Sequence, residues 1–337
     1  MSDSTLKIVI PMAGLGTRLR PHTWSKPKQL VSVAGKTVLD HVLDTFSTIP
    51  NSIDIELVNI VGYLGEQIEA YIKENYPHIP SKYVVQEHPR GQSHAIQLAG
   101  EYLQGPMLIV FADTLIETDL SFLVTEEAGG VAWVKPVPDP RRFGVAEVNQ
   151  EGWVTRLIEK PDDTSNDLAV VGFYYFKQAE DLLDAIDEQM RRDIQTKGEY
   201  YLVDAVNIML ERGLEMRTEK VDTWLDAGTP EALLETNRYL LENGMDNSQE
   251  VAERPGVLVR PPVYIHPSAQ IENSIIGPHV SLGAGAQVKD SILKDLIFED
   301  EAKVTGLVLE NSLVGRSAVL KKPPLEINVG DNTELML

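Results

Sequence analysis

The sequence predicts an α/β protein, a mostly parallel, doubly wound sheet followed by a short β-helix. Three observations predict it. Short β-branched runs alternate with amphipathic helical segments up to residue 113, the pattern turns strand-rich from 131 to 176, and a nearly six-residue aliphatic spacing takes over beyond 262.

Residues 6–10 (LKIVI) read as a strand covered on both faces, a short aliphatic run bounded by Pro11 and glycines. A helix is expected from about Lys36, where "TVLDHVLDTF" puts Val38, Val42 and Phe46 on one face with Asp40 and Asp44 off it. The alternation repeats as strand 55–62, helix 66–76, strand 82–87, helix 93–103 and strand 107–113. Such βα units build a Rossmann-like sheet, whose ligands bind outside the carboxyl ends of the strands. The loops near Pro11, Glu87 and Asp113 are therefore the places to look.

From 131 to 176 the strand-rich segments include a hairpin turn at Asn149–Gly152, an insertion able to wall one side of a pocket. Helices at 178–190 and 201–212, a strand at 214–220 and a helix at 230–242 complete the first domain, 1–242. A polar, Gly/Pro-bearing stretch, 243–262, reads as a linker. In 263–337, Ile265, Ile271, Leu282 and Val288 recur at near multiples of six, and the phrase "ENS-aliphatic-aliphatic-G" returns 38 residues later. Short strands that turn a corner every six residues make a β-helix, here with a C-terminal tail. Such stacked coils need capping or contacts with other copies, so a homo-oligomer is expected.

The 337 residues carry a net charge of -21, which argues against a nucleic-acid or membrane-surface binder. There is no cysteine, hence no disulfide, thiolate metal site or cysteine nucleophile, and Ile8–Ile10 is too short for a signal-peptide core or a membrane span. A cytoplasmic protein is expected.

Against that acidic background the first 36 residues hold six Lys/Arg and one acid, Asp3. Gly14 and Gly16 let the backbone bend so that successive N–H groups face an anion, and Thr17 adds a hydroxyl. Taken alone the loop is equally a tight strand-to-helix connection. It matches neither a Walker A loop nor G-x-G-x-x-G, since Leu19 stands at the third glycine position.

The stretch "PMAGLGTRLRP…PKQL" resembles the signature of the sugar-1-phosphate nucleotidyltransferases, G-x-G-T/S-R-L-x-P followed by P-K. The resemblance runs over about residues 6–241 through "VQEHPRGQSHA", "FAD", "FGVAE", "EKP" and "WLDAGTP". Long members, among them long-form glucose-1-phosphate thymidylyltransferases, carry a left-handed β-helix after the catalytic domain, as the repeats here imply.

The resemblance implies attack of a sugar-1-phosphate oxygen on the α-phosphorus of a nucleoside triphosphate, with pyrophosphate leaving. Because the nucleophile is already an anion, the task is charge neutralisation and alignment. Arg18 would hold the departing pyrophosphate, Lys28 the phosphates around the α-phosphorus, and Lys160 the sugar phosphate. Met12, Ala13, Gly14, Gly16, Thr17, Gln86 and Gly91 match nucleotide-binding positions, the Gln86 amide facing the base. Gly144, Glu159, Val170 and Tyr174 match the sugar site, and Asp113 and Asp226 match the carboxylates that hold Mg²⁺.

The chain departs from the thymidylyltransferase pattern at Gly91-Gln92-Ser93, at Ala112-Asp113-Thr114 and at Phe143, where Gly-Leu-Ala, Gly-Asp-Asn and Tyr are usual. The expected product is dTDP-glucose, with other nucleotides and sugars as alternatives. Two further readings are a bifunctional enzyme whose β-helix transfers acyl groups through His266 or His279, and a non-catalytic subunit. His22 and His94 read as structural.

Overall fold

The structure, a computed structural model, describes residues 5–196, 198–251, 255–323, 326, 328–329 and 331–334. Residues 252–254 of the expected linker and 324–325, 327, 330 and 335–337 of the expected tail lie outside the described residues. The chain forms two compact units, one of residues 1–31 and 36–236, the other of residues 32–35 and 237–337.

The first unit begins β1 (Leu6–Met12), α1 (Val38–Asp44), β2 (Ile55–Val61), α2 (Gly65–Asn75), β3 (Ser81–Val85), α3 (Gln92–Leu98), β4 (Met107–Val110). Period-two alternation sorts the strand residues between two apolar layers. Ile8 and Ile10 pack with Leu39, Val42 and Phe46 beside α1 and with Ile68 and Ile72 of α2, whereas Val9 packs with Ala95 and Ile96 of α3. Thr37 and Asp40 close a capping box that starts α1, and Asp40 also accepts from the Tyr71 and Tyr76 hydroxyls, both at 2.7 Å.

The strand expected to run to Asp113 stops at Val110. Thr114 N–H donates to the Phe111 carbonyl at 3.1 Å, so Asp113 lies in a turn before β5 (Thr114–Ile116). Then come β6 (Gly130–Pro136), β7 (Gly144–Val148), β8 (Val154–Glu159) and β9 (Leu168–Phe176). The unit closes with α4 (Ala179–Arg191), α5 (Leu202–Glu211), β10 (Met216–Lys220), β11 (Trp224–Asp226) and most of α6 (Pro230–Leu240).

The main sheet has nine strands in the order β8-β7-β9-β4-β1-β2-β3, with β6 paired to both β9 and β10. β1 runs parallel to β2 and β4, and β2 to β3, while β9 is antiparallel to β4. The chain steps from β1 outward to β2 and β3, then returns to place β4 on the other side of β1. That reversal opens a crevice at the carboxyl ends of β1 and β4. The loop after Met12 and the turn holding Asp113 flank it.

The second unit is a parallel β-helix: β12 (Leu258–Val259), β13 (Val263–Ile265), β14 (Gln270–Glu272), β15 (Ile275–Ile276), β16 (Val280–Leu282), β17 (Gln287–Lys289), β18 (Ile292–Phe298), β19 (Lys303–Thr305), β20 (Val308–Val314) and β21 (Val319–Lys321). Residues 258, 275, 292 and 308 pair in one ladder, so a coil takes 16 or 17 residues, slightly less than three hexapeptides. Its corners repeat left-handed residues: Asn273 and Asp290 at φ 44° and 49°, then Gly306 at φ 71°. Inward aliphatic residues such as Val263, Val280 and Leu296 fill the centre. Among the described residues no helix is long and apolar enough to cross a membrane.

Candidate active site

The glycine loop after β1 divides into two kinds of position. A Cβ on Gly14 would meet nothing within 4 Å, so this backbone faces open space. Gly16 adopts φ +60°, and a Cβ there would press on Lys28 Cβ and Thr23 Cγ2, both at 3.2 Å. Thr23 Oγ1 donates to the Gly16 carbonyl at 2.8 Å, folding the following arm back beneath the loop. The arm is fixed further along by Tyr63, whose hydroxyl donates to the Trp24 carbonyl, and by Gln67, whose amide donates to that of Ser25. Lys28 is thereby delivered to Asp113, its Nζ 2.5 Å from Oδ2.

Two carboxylates meet through a short antiparallel ribbon. β5 pairs with β11 so that Asp226 stands opposite Thr114, the neighbour of Asp113, and Ala227 N–H donates to the Asp113 carbonyl at 3.0 Å. Burial works to raise the Asp113 carboxyl, but the Lys28 ammonium outweighs it, with help from Arg18, and holds the group below the usual range. Asp226 moves the other way. Desolvation in the cleft, with the Asp113 charge, raises it against the Gly228 amide, which donates to Oδ1 at 2.7 Å. A Cβ on Gly228 would lie 2.8 Å from Asp226 Oδ1 and 3.1 Å from Arg18 Nη2, so this glycine lets the guanidinium approach the carboxylate.

Among the described residues no group of three His, Asp or Glu side chains is arranged around a common point. Two hard carboxylate donors, Asp113 in its turn and Asp226 at the end of β11, fit a Mg²⁺ ion only if phosphate oxygens and water complete its shell.

A cavity of about 500 Å³ joins this pair to the strand-rich wall. Of the residues singled out from sequence, Arg18, Asp113, Gly144, Glu159, Lys160, Val170, Tyr174 and Asp226 line it. Lys160 adopts φ +50°, and its Nζ is 2.8 Å from the Tyr201 hydroxyl and 3.2 Å from Glu159 Oε1. Burial tends to lower its pKa, but Tyr201 and Glu159 outweigh burial, so the ammonium holds its proton more firmly than usual. Glu159 Oε2 would be 3.2 Å from a Cβ on Gly144, and Tyr174 is buried nearby, its hydroxyl pushed up by burial and by Glu159.

Met12, Ala13, Gly14, Gly16, Thr17, Gln86 and Gly91 do not line that cavity; Met12 ends β1, Thr17 opens a short 3-10 turn, and the others lie in the adjoining loops. Gln86 Nε2 lies 3.4 Å from the Gly91 carbonyl and 3.0 Å from His94 Nδ1. Burial, with Arg90, lowers the His94 pKa, which favours a neutral ring that orients the amide. Gly91, at φ +109°, allows no side chain, because a Cβ would fall 2.5 Å from the Tyr200 carbonyl oxygen.

Several wall residues were not named as site residues from the sequence: Phe111, Gln92 and Trp224, though they lie in stretches that carried the resemblance, and Arg141 and Arg142. Phe143 and Trp224 pack edge to face at 4.7 Å. The departures Gln92 and Ser93 both tie α3 to the start of α5, Gln92 Oε1 accepting from Leu202 N–H at 3.2 Å and Ser93 Oγ donating to the Tyr201 carbonyl at 3.0 Å. For Arg141 and Arg142 only the charge context beside "FGVAE" offered a clue.

In the second unit, His279 lies between Glu242 at 2.8 Å and Asp295 at 3.2 Å, and His266 Nδ1 contacts Ser268 Oγ at 2.8 Å. His279 thus links a coil to the helical turn Leu241–Met245, and His266 is engaged within its own coil.

Comparison with known proteins identifies the family. The sequence model of the Nucleotidyl transferase family matches residues 7–243. A glucose-1-phosphate thymidylyltransferase of Streptomyces griseus is 30% identical, covering 95% of this chain and 94% of its own. The UTP--glucose-1-phosphate uridylyltransferase AglF of Haloferax volcanii is also 30% identical, over 70% of this chain and 97% of its own. A nucleoside-diphosphate-sugar pyrophosphorylase structure from Vibrio cholerae RC9 superposes with a TM-score of 0.60 at 21% identity, covering 68% of this chain and 99% of its own, and shares the fold. With the family matched over most of its length and this cleft at the end of its sheet, the chain belongs to the nucleotidyl transferase family as a nucleotidyltransferase of the sugar-nucleotide-forming kind.

Proposed function

We propose that the enzyme makes dTDP-glucose from dTTP and glucose-1-phosphate. The observation that carries the reading is the single cavity in which Arg18 and the Asp113/Asp226 pair face Lys160 and Glu159. For thymidine specifically, the support is the Streptomyces griseus relative, whose likeness extends through the β-helix region, whereas the AglF likeness covers 70% of this chain.

Arg18 binds the β- and γ-phosphates and steadies the charge that builds on departing pyrophosphate. Lys28 exchanges Asp113 for the phosphates at the centre under attack. Lys160, held by Tyr201, binds the sugar phosphate, and Glu159 accepts from sugar hydroxyls, with Gly144 leaving room and Val170 and Tyr174 closing the wall. Met12 to Thr17, with Gln86 and Gly91, receive the nucleotide, Gly14 presenting bare backbone. Asp113 and Asp226 would hold Mg²⁺, which supplies charge neutralisation to the phosphates.

Pyrophosphate release over a grid of five nucleoside triphosphates and several sugar-1-phosphates tests the proposal. The dTTP and glucose-1-phosphate pair should turn over fastest with Mg²⁺. Preference for UTP would overturn the nucleotide, and no release from any pair would overturn the reaction.

A further inference from the structure

One face of the β-helix carries an aliphatic ladder on its outside. Leu258 pairs with Ile275, Ile275 with Ile292 and Ile292 with Val308, and each next residue, Val259, Ile276, Leu293 and Leu309, points inward. Leu258, Ile292 and Val308 are 49%, 43% and 72% exposed, and a groove of about 610 Å³ runs along the first three rungs, Leu258, Ile275 and Ile292. An outward row of four aliphatic rungs contributes nothing to the coil's own core, and contiguous exposed apolar surface marks an interaction site. The ladder Gln270, Gln287, Lys303 shows the contrast over three rungs, being polar on its outside until the exposed Val319 that ends it.

We propose that this face docks on the same face of a second copy of the chain, with the coils antiparallel. The argument is charge complementarity, and it is independent of the chemistry proposed above. Flat strands meeting about a two-fold axis along the strand direction reverse the order of the rungs and keep positions along each strand aligned. Leu258 then faces Val308 of the second copy, and Ile275 faces Ile292. Two positions further along the strands stand Arg260, Gly277, Lys294 and Glu310. The same operation sets Arg260 against Glu310 of the second copy and Lys294 against its Gly277. Two positions before the rungs, it sets Asn273 against Asp290. No like charges oppose one another. Within one chain Glu310 already accepts from Lys294 at 2.6 Å, so the arriving guanidinium completes a three-member network. Turning the axis parallel to the coil instead sets Lys294 against Asp290 but leaves Arg260 and Glu310 opposite glycines, Gly256 and Gly306, whereas the antiparallel arrangement engages Arg260 while Lys294 keeps its bond to Glu310.

Sedimentation of the full-length chain over a wide concentration range tests this. The wild type should associate reversibly, and Ile292→Asp should weaken association at least about tenfold. Arg260→Glu and Glu310→Arg should each weaken it about tenfold, and the double swap should restore it. Circular dichroism melts check that each variant folds, and the two charge variants keep the test valid if Ile292→Asp does not. A wild type that stays monomeric overturns the proposal. Unchanged association of Ile292→Asp assigns the stripe to another occupant. Loss with Ile292→Asp but no effect of the charge variants overturns the antiparallel arrangement.

Discussion

The two units use left-handed backbone for opposite ends. In the β-helix, positive φ recurs at fixed places: Asn273, Asp290 and Gly306 at one corner, His279, Asp295 and Asn311 at another, Gly285, Glu301 and Ser317 at a third. Its recurrence, whatever the residue, makes it architecture. In the cleft, Lys160 at φ +50° belongs to no such series, and its side chain is long and charged. Isolated strain of this kind is retained where it aims a side chain. The regular unit should therefore answer to substitution in stability, and the cleft in activity.

The largest effect is expected at Asp113. Asp113→Asn keeps the shape of the turn but removes the charge shared between Lys28 and the proposed cation, and turnover should fall about a thousandfold. Titration of activity with Mg²⁺ measures it, and near-normal turnover at ordinary Mg²⁺ would remove Asp113 from the metal site. Gly277→Ala tests the other unit. A Cβ there would stand 2.0 Å from the Arg260 carbonyl oxygen at φ +101°, so stability should drop by about 3 kcal/mol. Thermal melts should register the loss while turnover well below the melting range is unchanged. Lys160→Asn reverses that pattern: asparagine accepts left-handed backbone more readily, so the melt should hold or rise. Turnover should fall about a hundredfold as the phosphate-binding charge disappears.

Much of this contrast was legible in the sequence. The buried strand read at 6–10, which runs to Met12, and the helix expected from about Lys36, which starts at Val38, announce themselves because their apolar period is local. The cationic loop and its resemblance brought Arg18, Lys160 and both aspartates to one cavity. The exact end of β4 was not legible, because a turn bond from Thr114 to Phe111 decides it. Nor was it legible that Trp224 and Gln92 form walls, although both lie in stretches that carried the resemblance, since long-range packing places them. Likewise, residues 32–35 join the second unit through contacts such as the tight seat of Gly35 on the Tyr264 ring, far along the chain.

A smaller effect should separate holding Lys160 from being Lys160. Tyr201→Phe removes the hydroxyl 2.8 Å from its Nζ and leaves the ring over which the ammonium sits. A hydrogen bond to a charged group is worth about 1.5 kcal/mol or more, so the loss should be at least roughly tenfold. The loss should appear in KM for the sugar-1-phosphate more than in kcat, whereas a purely structural role would show in the melting temperature and not in KM.

The smallest effect lies next to Lys28. Gln29 is fully buried, and neither Oε1 nor Nε2 has a partner among the described residues. An amide in that position carries its full desolvation cost without a compensating bond. Gln29→Met keeps length and flexibility while deleting both polar atoms, so the melt should rise by the equivalent of about 1 kcal/mol. That gain would make Gln29 the cleft's counterpart of Lys160, a residue kept at the expense of stability, and activity should then fall although the protein is more stable. A lower melting temperature would instead mean that the amide is satisfied by water inside the unit, and the contrast between a cleft shaped for activity and a coil shaped for stability would rest on Lys160 and its left-handed turn.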